Sequence, residues 1–370
     1  MKNTLDFKVP FIASWGHLNF INCFTSAFMF VENLDISGVI NYPCPPRNNG
    51  QPCHGCGNMR KGKCDNAALN KVSPYCFLFD TMSGHSSLHH RYDGKPNEMQ
   101  KLLGDVAGND SCGTDYTVDF LFGFTGYEYR KCTDAALFKD EIIASLDAGK
   151  PVLAEGKPGE NRGGRFHVIT GYDGGALICP SDDYFYNEAR PEGAPVYDEL
   201  VALYIFGDKT TPRYTLKDGL ENIKRVKEYN INEKIWDDYL AKMGGWEAFP
   251  SDDGLDKADM GEKKIRMERM LYTVRYTMNT HCVQKAFQDV HIRHEEMLAP
   301  SFSDLWKKIK ASAEYMGHGP ENTIARINWD TIRPASFRKI SAEICGAIVK
   351  VQEADAKVLE YINQAIDILS

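Results

Sequence analysis

Three kinds of side chain scattered along the chain could together do covalent chemistry: a cysteine at 23, a histidine at 167, and aspartates at 182 and 183. A thiol attacks a carbonyl carbon as its thiolate, so it needs a base to take the proton and a favourable field to hold the charge. Cys23 stands in NFINCFTSAFMFVENL, residues 19–34, where a short apolar run turns helical. A thiol at a helix N-terminus gains from the positive end of the helix dipole and from unpaired backbone N–H groups. Taken alone, that placement suits an inert core cysteine better, because most buried thiols are only packing. His167 shifts the balance. It lies in RGGRFHVITGYDGGALICPSDD, residues 162–183, among the alternating residues of a predicted strand, and the next strand ends on Asp182 and Asp183. The separation of about 15 residues between His167 and Asp182 fits one hairpin. Alternation sends Asp182 and Asp183 to opposite sides, so only one of them can meet the imidazole. Asp182 is the choice, with Asp183 the alternative and Asp173 of GYD more distant. Nucleophile, base and orienting carboxylate then occur in the chain order Cys23, His167, Asp182.

The elements that would position them follow from periodicity. CFTSAFMFVENL reads as a buried helix, CFLFDTMSGHSS as a strand running into a turn at Gly84, and YTVDFLFGFTGYEYRKC as a strand-like pair. ALFKDEIIASLDAG is an amphipathic helix closed by Gly149. Strand signals follow in PVLAEGK, RFHVITGYD, GALICPSDD and VYDELVALYIFG. A helix first and an antiparallel sheet afterwards is an α+β pattern. From about residue 213 the glycines thin out and helical periodicity takes over, through LKDGLENIKRVKEY, INEKIWDDYLAKMGGWEAF, a long stretch over 263–298, and SFRKISAEICGAIVKVQEADAKVLEYINQAIDIL. The expected division is a catalytic domain over 1–210 and an all-helical accessory domain over 211–370, as a chain of 370 residues exceeds what one core usually organises.

NCFTSAFMF followed by KPVLAEGKPGENRGGRFHVITGYD resembles the papain-like superfamily, in particular its C39-peptidase-like branch and the N-terminal domain of butirosin-biosynthesis-H-type proteins. The resemblance covers roughly residues 10–210 and implies a nucleophile helix packed on an antiparallel sheet. It implies one of two activities: peptide-bond cleavage, or transfer of an acyl group from a carrier-protein thioester to an amine in natural-product biosynthesis. Where such enzymes carry an oxyanion-binding glutamine about six residues before the cysteine, this chain has His17, with Asn19 nearby. Related proteins shape their pocket with the region that here contains Ser83 and His85, which become substrate-binding candidates. Transfer is preferred, with an acyl- or peptidyl-carrier protein and an amine as partners and no cofactor. Hydrolysis by the same triad and a non-catalytic small-molecule-binding protein are the alternatives.

Composition narrows the rest. A net charge of −8, from 51 acidic against 43 basic residues without a Lys/Arg block, disfavours nucleic acid. No apolar run approaches the roughly 20 residues of a membrane helix, and MKNTLDFKVPFIASWGHL lacks the features of a signal peptide, so a cytoplasmic protein is expected. Eleven cysteines, an odd number, suggest reduced thiols. Cys44, Cys53, Cys56 and Cys64 contain one CxxC, but their outer spacings match no common zinc module; loop thiols are expected and no metal is assigned. His291 and His294 lie one helical turn apart without an accompanying acidic motif and are expected on a solvated helix face. The amphipathic helices of the second part could also pair two copies of the chain.

Overall fold

The structure is a computed structural model that describes residues 2–9, 19–34, 40–41, 71–72, 74–88, 97–104, 115–157, 166–179, 197–244, 307–308 and 334–370. In chain order the elements are β1 (Lys2–Thr4), α1 (Asn19–Val31), β2 (Ile40–Asn41), β3 (Lys71–Val72), α2 (Pro74–Met82), α3 (Glu98–Leu103), α4 (Asp115–Thr125), β4 (Tyr127–Cys132) and α5 (Phe138–Asp147). They continue as β5 (Val152–Gly156), β6 (Phe166–Ile169), β7 (Gly171–Asp173), β8 (Ala176–Ile178), β9 (Leu200–Lys209), α6 (Leu216–Asn232), α7 (Ile235–Gly244) and α8 (Pro334–Ile368). The fold is α+β with antiparallel sheets. Two compact units result: Met1–Asp80 with Gly104–Thr215, and Thr81–Leu103 with Leu216–Ser370. The second crossing falls close to the break seen in the sequence, but Thr81–Leu103, which the sequence assigns to the first domain, belongs to the second unit.

In the first unit the main sheet runs β4-β9-β5-β6, and Thr170 carries β6 directly into β7 of a smaller sheet, β1-β7-β8. Two layers cover opposite faces of the main sheet. On one, α5 presents Phe138, Ile142 and Leu146 to Val152, Ala154, Ile169 and Leu203. On the other lie α1 and α4, with an aromatic core in which Phe20 meets Phe166 at 4.8 Å and Phe24 meets Phe122 at 5.1 Å between ring centroids. Because α1 is buried from Phe20 to Met29, its hydroxyls cannot look to water. Thr25 donates instead to Ile21 O at 2.7 Å and Ser26 to Asn22 O at 3.1 Å, one turn back.

Two segments read from sequence as strands are helices. PYCFLFDTM forms α2, and DYTVDFLFGFT forms α4, with only YEYRKC of its supposed pair in a strand. Both helices are buried on several sides, so their apolar residues run on without the spacing that marks a one-sided helix. The helix closed by Gly149 at φ +78° and the strand of PVLAEGK are found where periodicity puts them, whereas RFHVITGYD divides into β6 and β7 of two sheets, Tyr197–Glu199 form a 3-10 turn ahead of β9, and of GALICPSDD only Ala176–Ile178 is strand among the described residues. Among the described residues the second unit is helical. There α6 packs on α8, and α7 on both.

Candidate functional site

Cys23 lies on α1, which begins at or before Asn19, so it is at least one turn inside the helix rather than at its first residue. It is completely buried, and its thiol donates to the backbone carbonyl of Phe166 at 3.3 Å. That carbonyl belongs to the residue immediately before His167, so the fold brings the thiol against the strand that carries the predicted base. The side chains diverge from there. His167 is paired with Ala154, and Phe166 with Glu155, across β5 and β6. Phe166 points to the α1 layer, where its ring meets Phe20 and Tyr204. Pleating therefore sends the half-buried His167 to the other face, with Ala154 and Ile169 of the α5 layer.

Asp182, Asp183 and His17 lie outside the described residues, as do Cys44, Cys53, Cys56, Cys64, His291 and His294. Asn19 is the first described residue of α1. Asp173, the distant alternative, stands at the hairpin end of β7 in an exposed ion pair with Lys2 at 2.8 Å. Asn22, beside Cys23, accepts at Oδ1 from the thiol of Cys76 on α2, at 3.2 Å. Among the described residues no group of His, Cys, Asp and Glu could hold a metal ion.

Ser83 and His85 are brought together, in the second unit. His85 Nε2 is 2.7 Å from the carbonyl of Leu103, which can only accept, so Nε2 carries the proton and Nδ1 accepts from the Ser83 hydroxyl at 2.9 Å. Both residues are buried, and the pair ties the turn at Gly84 to the end of α3.

The sequence did not single out Glu155. It is half-buried on β5, where it faces the α1 layer with Phe166 and shares that face with Tyr204 of β9. Burial raises its carboxyl above the usual range, against the pull of Lys131 and the Tyr204 hydroxyl, while Asp115 adds to the rise. Alternation in PVLAEGK, which places a lone carboxylate on a buried strand, was the signal available.

A separate cleft of about 300 Å³ opens in the first unit between the end of α1 and β9, lined by Phe30, Tyr127, Lys150, Phe206 and Lys209 among others. Its ammonium groups are engaged: Lys209 with Glu32, and Lys150 with Gly207 O at 2.6 Å. Neither Cys23 nor His167 lines it.

No family model matches the chain, and no curated protein matches it.

Proposed function

We propose that the protein is a thiol-dependent acyltransferase with a papain-like first unit, which moves an acyl or peptidyl group from a carrier-protein thioester to an amine. Cys23 is the nucleophile and His167, oriented by Asp182, the base, with His17 and Asn19 as oxyanion donors; because His167 faces the α5 side, this reading requires the N-terminal end of β6 to turn its imidazole toward the α1 face on acylation. The observation that carries this is the 3.3 Å contact from the Cys23 thiol to Phe166 O, which sets a cysteine of α1 against the strand of His167. Ser83 and His85 have no part in the chemistry on this view, since each is occupied by the other.

A second reading, a non-catalytic binding protein on the same fold, is favoured by the complete burial of Cys23 and by the opposite facing of His167. Intact-mass spectrometry after incubation with an acyl N-acetylcysteamine thioester, with and without a primary amine, separates the possibilities. The expected result is one acyl adduct, absent in Cys23→Ala, with amide released faster than free acid. His167→Ala should keep the far-UV circular dichroism of the parent and lose acylation by roughly three orders of magnitude or more. Free acid as the main product would select a hydrolase. Absence of adduct with every donor would select the binding protein.

A further inference from the structure

The α1 face of the main sheet carries a proton-handling group of its own. Glu155 is cross-strand partner to Phe166, whose carbonyl receives the Cys23 thiol. Directly opposed residues point to the same face with their Cβ atoms about 5 Å apart, so the carboxyl and the thiol approach β6 from one side. His167 occupies the other side, with Ala154. Tyr204 of β9 shares this face, and Lys131 of β4 and Asp115 of α4, which form an ion pair at 2.6 Å, act on the carboxyl in opposite directions. The Tyr204 ring packs on Phe20 and Phe166, at 6.1 and 5.7 Å, the two aromatics that flank this end of α1. A carboxyl so placed is partly shielded from water, which raises it above the ordinary glutamate range and lets it hold a proton more readily than an exposed one.

We propose that Glu155 is the general base for the second half of the reaction, taking the proton of a cationic primary amine that attacks the Cys23 acyl-thioester. This rests on the acyltransferase reading given above. The balance is as follows. The ammonium gives a proton to the Glu155 carboxylate, and the free amine adds to the thioester carbonyl. As the tetrahedral adduct collapses the C–N bond is kept and the C–S bond breaks. The surplus proton on nitrogen leaves to solvent, and the Glu155 carboxylic acid protonates the departing Cys23 thiolate. Amide, thiol and carboxylate remain. Lys131, which favours the ionised carboxyl, and Asp115, which opposes it more weakly, would set how readily the carboxyl ionises.

The test is a single-turnover experiment on the full chain. The enzyme is loaded from an acyl N-acetylcysteamine thioester, and loss of the Cys23 adduct is followed by intact mass after addition of glycine methyl ester, at a fixed concentration of its ammonium form across pH. Wild type should deacylate faster as pH rises through a midpoint above the ordinary glutamate range. Glu155→Gln should load to the same stoichiometry, deacylate at least 30-fold more slowly, and lose that pH dependence, while Glu155→Asp should recover a measurable part of the rate with the midpoint retained. Normal loading with a deacylation rate and pH profile within threefold of wild type in Glu155→Gln would remove Glu155 from the mechanism and leave the Cys23 reading standing. No loading of wild type would overturn both. If Glu155→Gln fails to fold, the midpoint in Glu155→Asp decides, because a purely structural carboxylate would leave no titration in the rate.

Discussion

Glu32 shows how single side chains fasten this fold at a place the sequence gives no reason to mark. It follows the last turn of α1 and accepts from the Tyr127 hydroxyl at 2.6 Å and from the Lys209 ammonium, which lies 4.5 Å from the centre of the Tyr127 ring. Burial works to raise its carboxyl, but the hydrogen bonds from Lys209 and Tyr127 win and hold it below the ordinary 4.5. A carboxyl lowered in the folded state adds stability that is complete above its unfolded value and disappears as pH falls through the folded one. Glu32→Gln should therefore cost about 1–2 kcal/mol at pH 7 and narrow its deficit as the pH drops below 4.5. Melting temperatures of both proteins between pH 7 and pH 3 would show it, and an undiminished deficit at the acid end would mean that the carboxylate charge contributes nothing. That Cys23 lies on a buried helix and His167 on a strand could be read from residue type and spacing, because both elements carry local periodicity. The facing of His167 could not, since it depends on which neighbours β6 acquires.

Helices and strands were legible in proportion to how one-sided they are. α5, β5 to β9 and α6 carry their periodicity openly because each has one wet face or a short buried run between turns. α2 and α4 do not: CFLFD and DFLFGF are aromatic and nearly continuous, with Cys76, Leu78 and Phe79 of the one and Phe120 to Phe124 of the other buried, and such runs suit a core strand equally well. The α6–α8 pairing hides a different feature. Lys227 and Asp355 form an ion pair with 0% and 3% of their side chains exposed, so two charges that sequence alone would place at the surface lie inside a helix interface. Removing Lys227 leaves the buried Asp355 carboxylate without its ion-pair partner. Lys227→Met should cost about 3–5 kcal/mol, whereas Lys227→Met with Asp355→Leu should recover most of it. Urea denaturation of the two variants is the measurement. A double variant as unstable as the single one would show that volume rather than charge governs the contact.

At the scale of the molecule, the consequential fact is that the second unit is not one continuous piece of chain. No described helix is long and apolar enough to cross a membrane. The helices of the second unit find part of their packing in a stretch that arrives earlier. Asn222 of α6 donates to Met82 O at 3.0 Å and Asn230 to Ser87 O at 2.7 Å, both from buried side chains. Gly219 of α6 lies so close to the Met82 side chain that an added Cβ would stand 2.5 Å from its sulfur. Composition changes near residue 213 and invites a cut there, because glycine content and periodicity report only on neighbours in sequence. The closure of Thr81–Leu103 onto α6 is a long-range event with no local signature. A fragment of residues 211–370 would keep α6, α7 and α8 but lose the two hydrogen bonds to Met82 O and Ser87 O and bare to water the surface that residues 81–88 cover. Each lost hydrogen bond is worth about 0.5–1.5 kcal/mol net, and with the apolar burial lost beside them they take a large share of a domain's usual 5–15 kcal/mol. That fragment is accordingly expected to show helical circular dichroism without a cooperative thermal transition, and to gain one when residues 81–103 are fused ahead of it through a flexible linker. A sharp transition in the unfused fragment, at the temperature of the full chain, would show that the helical unit folds without its inserted stretch.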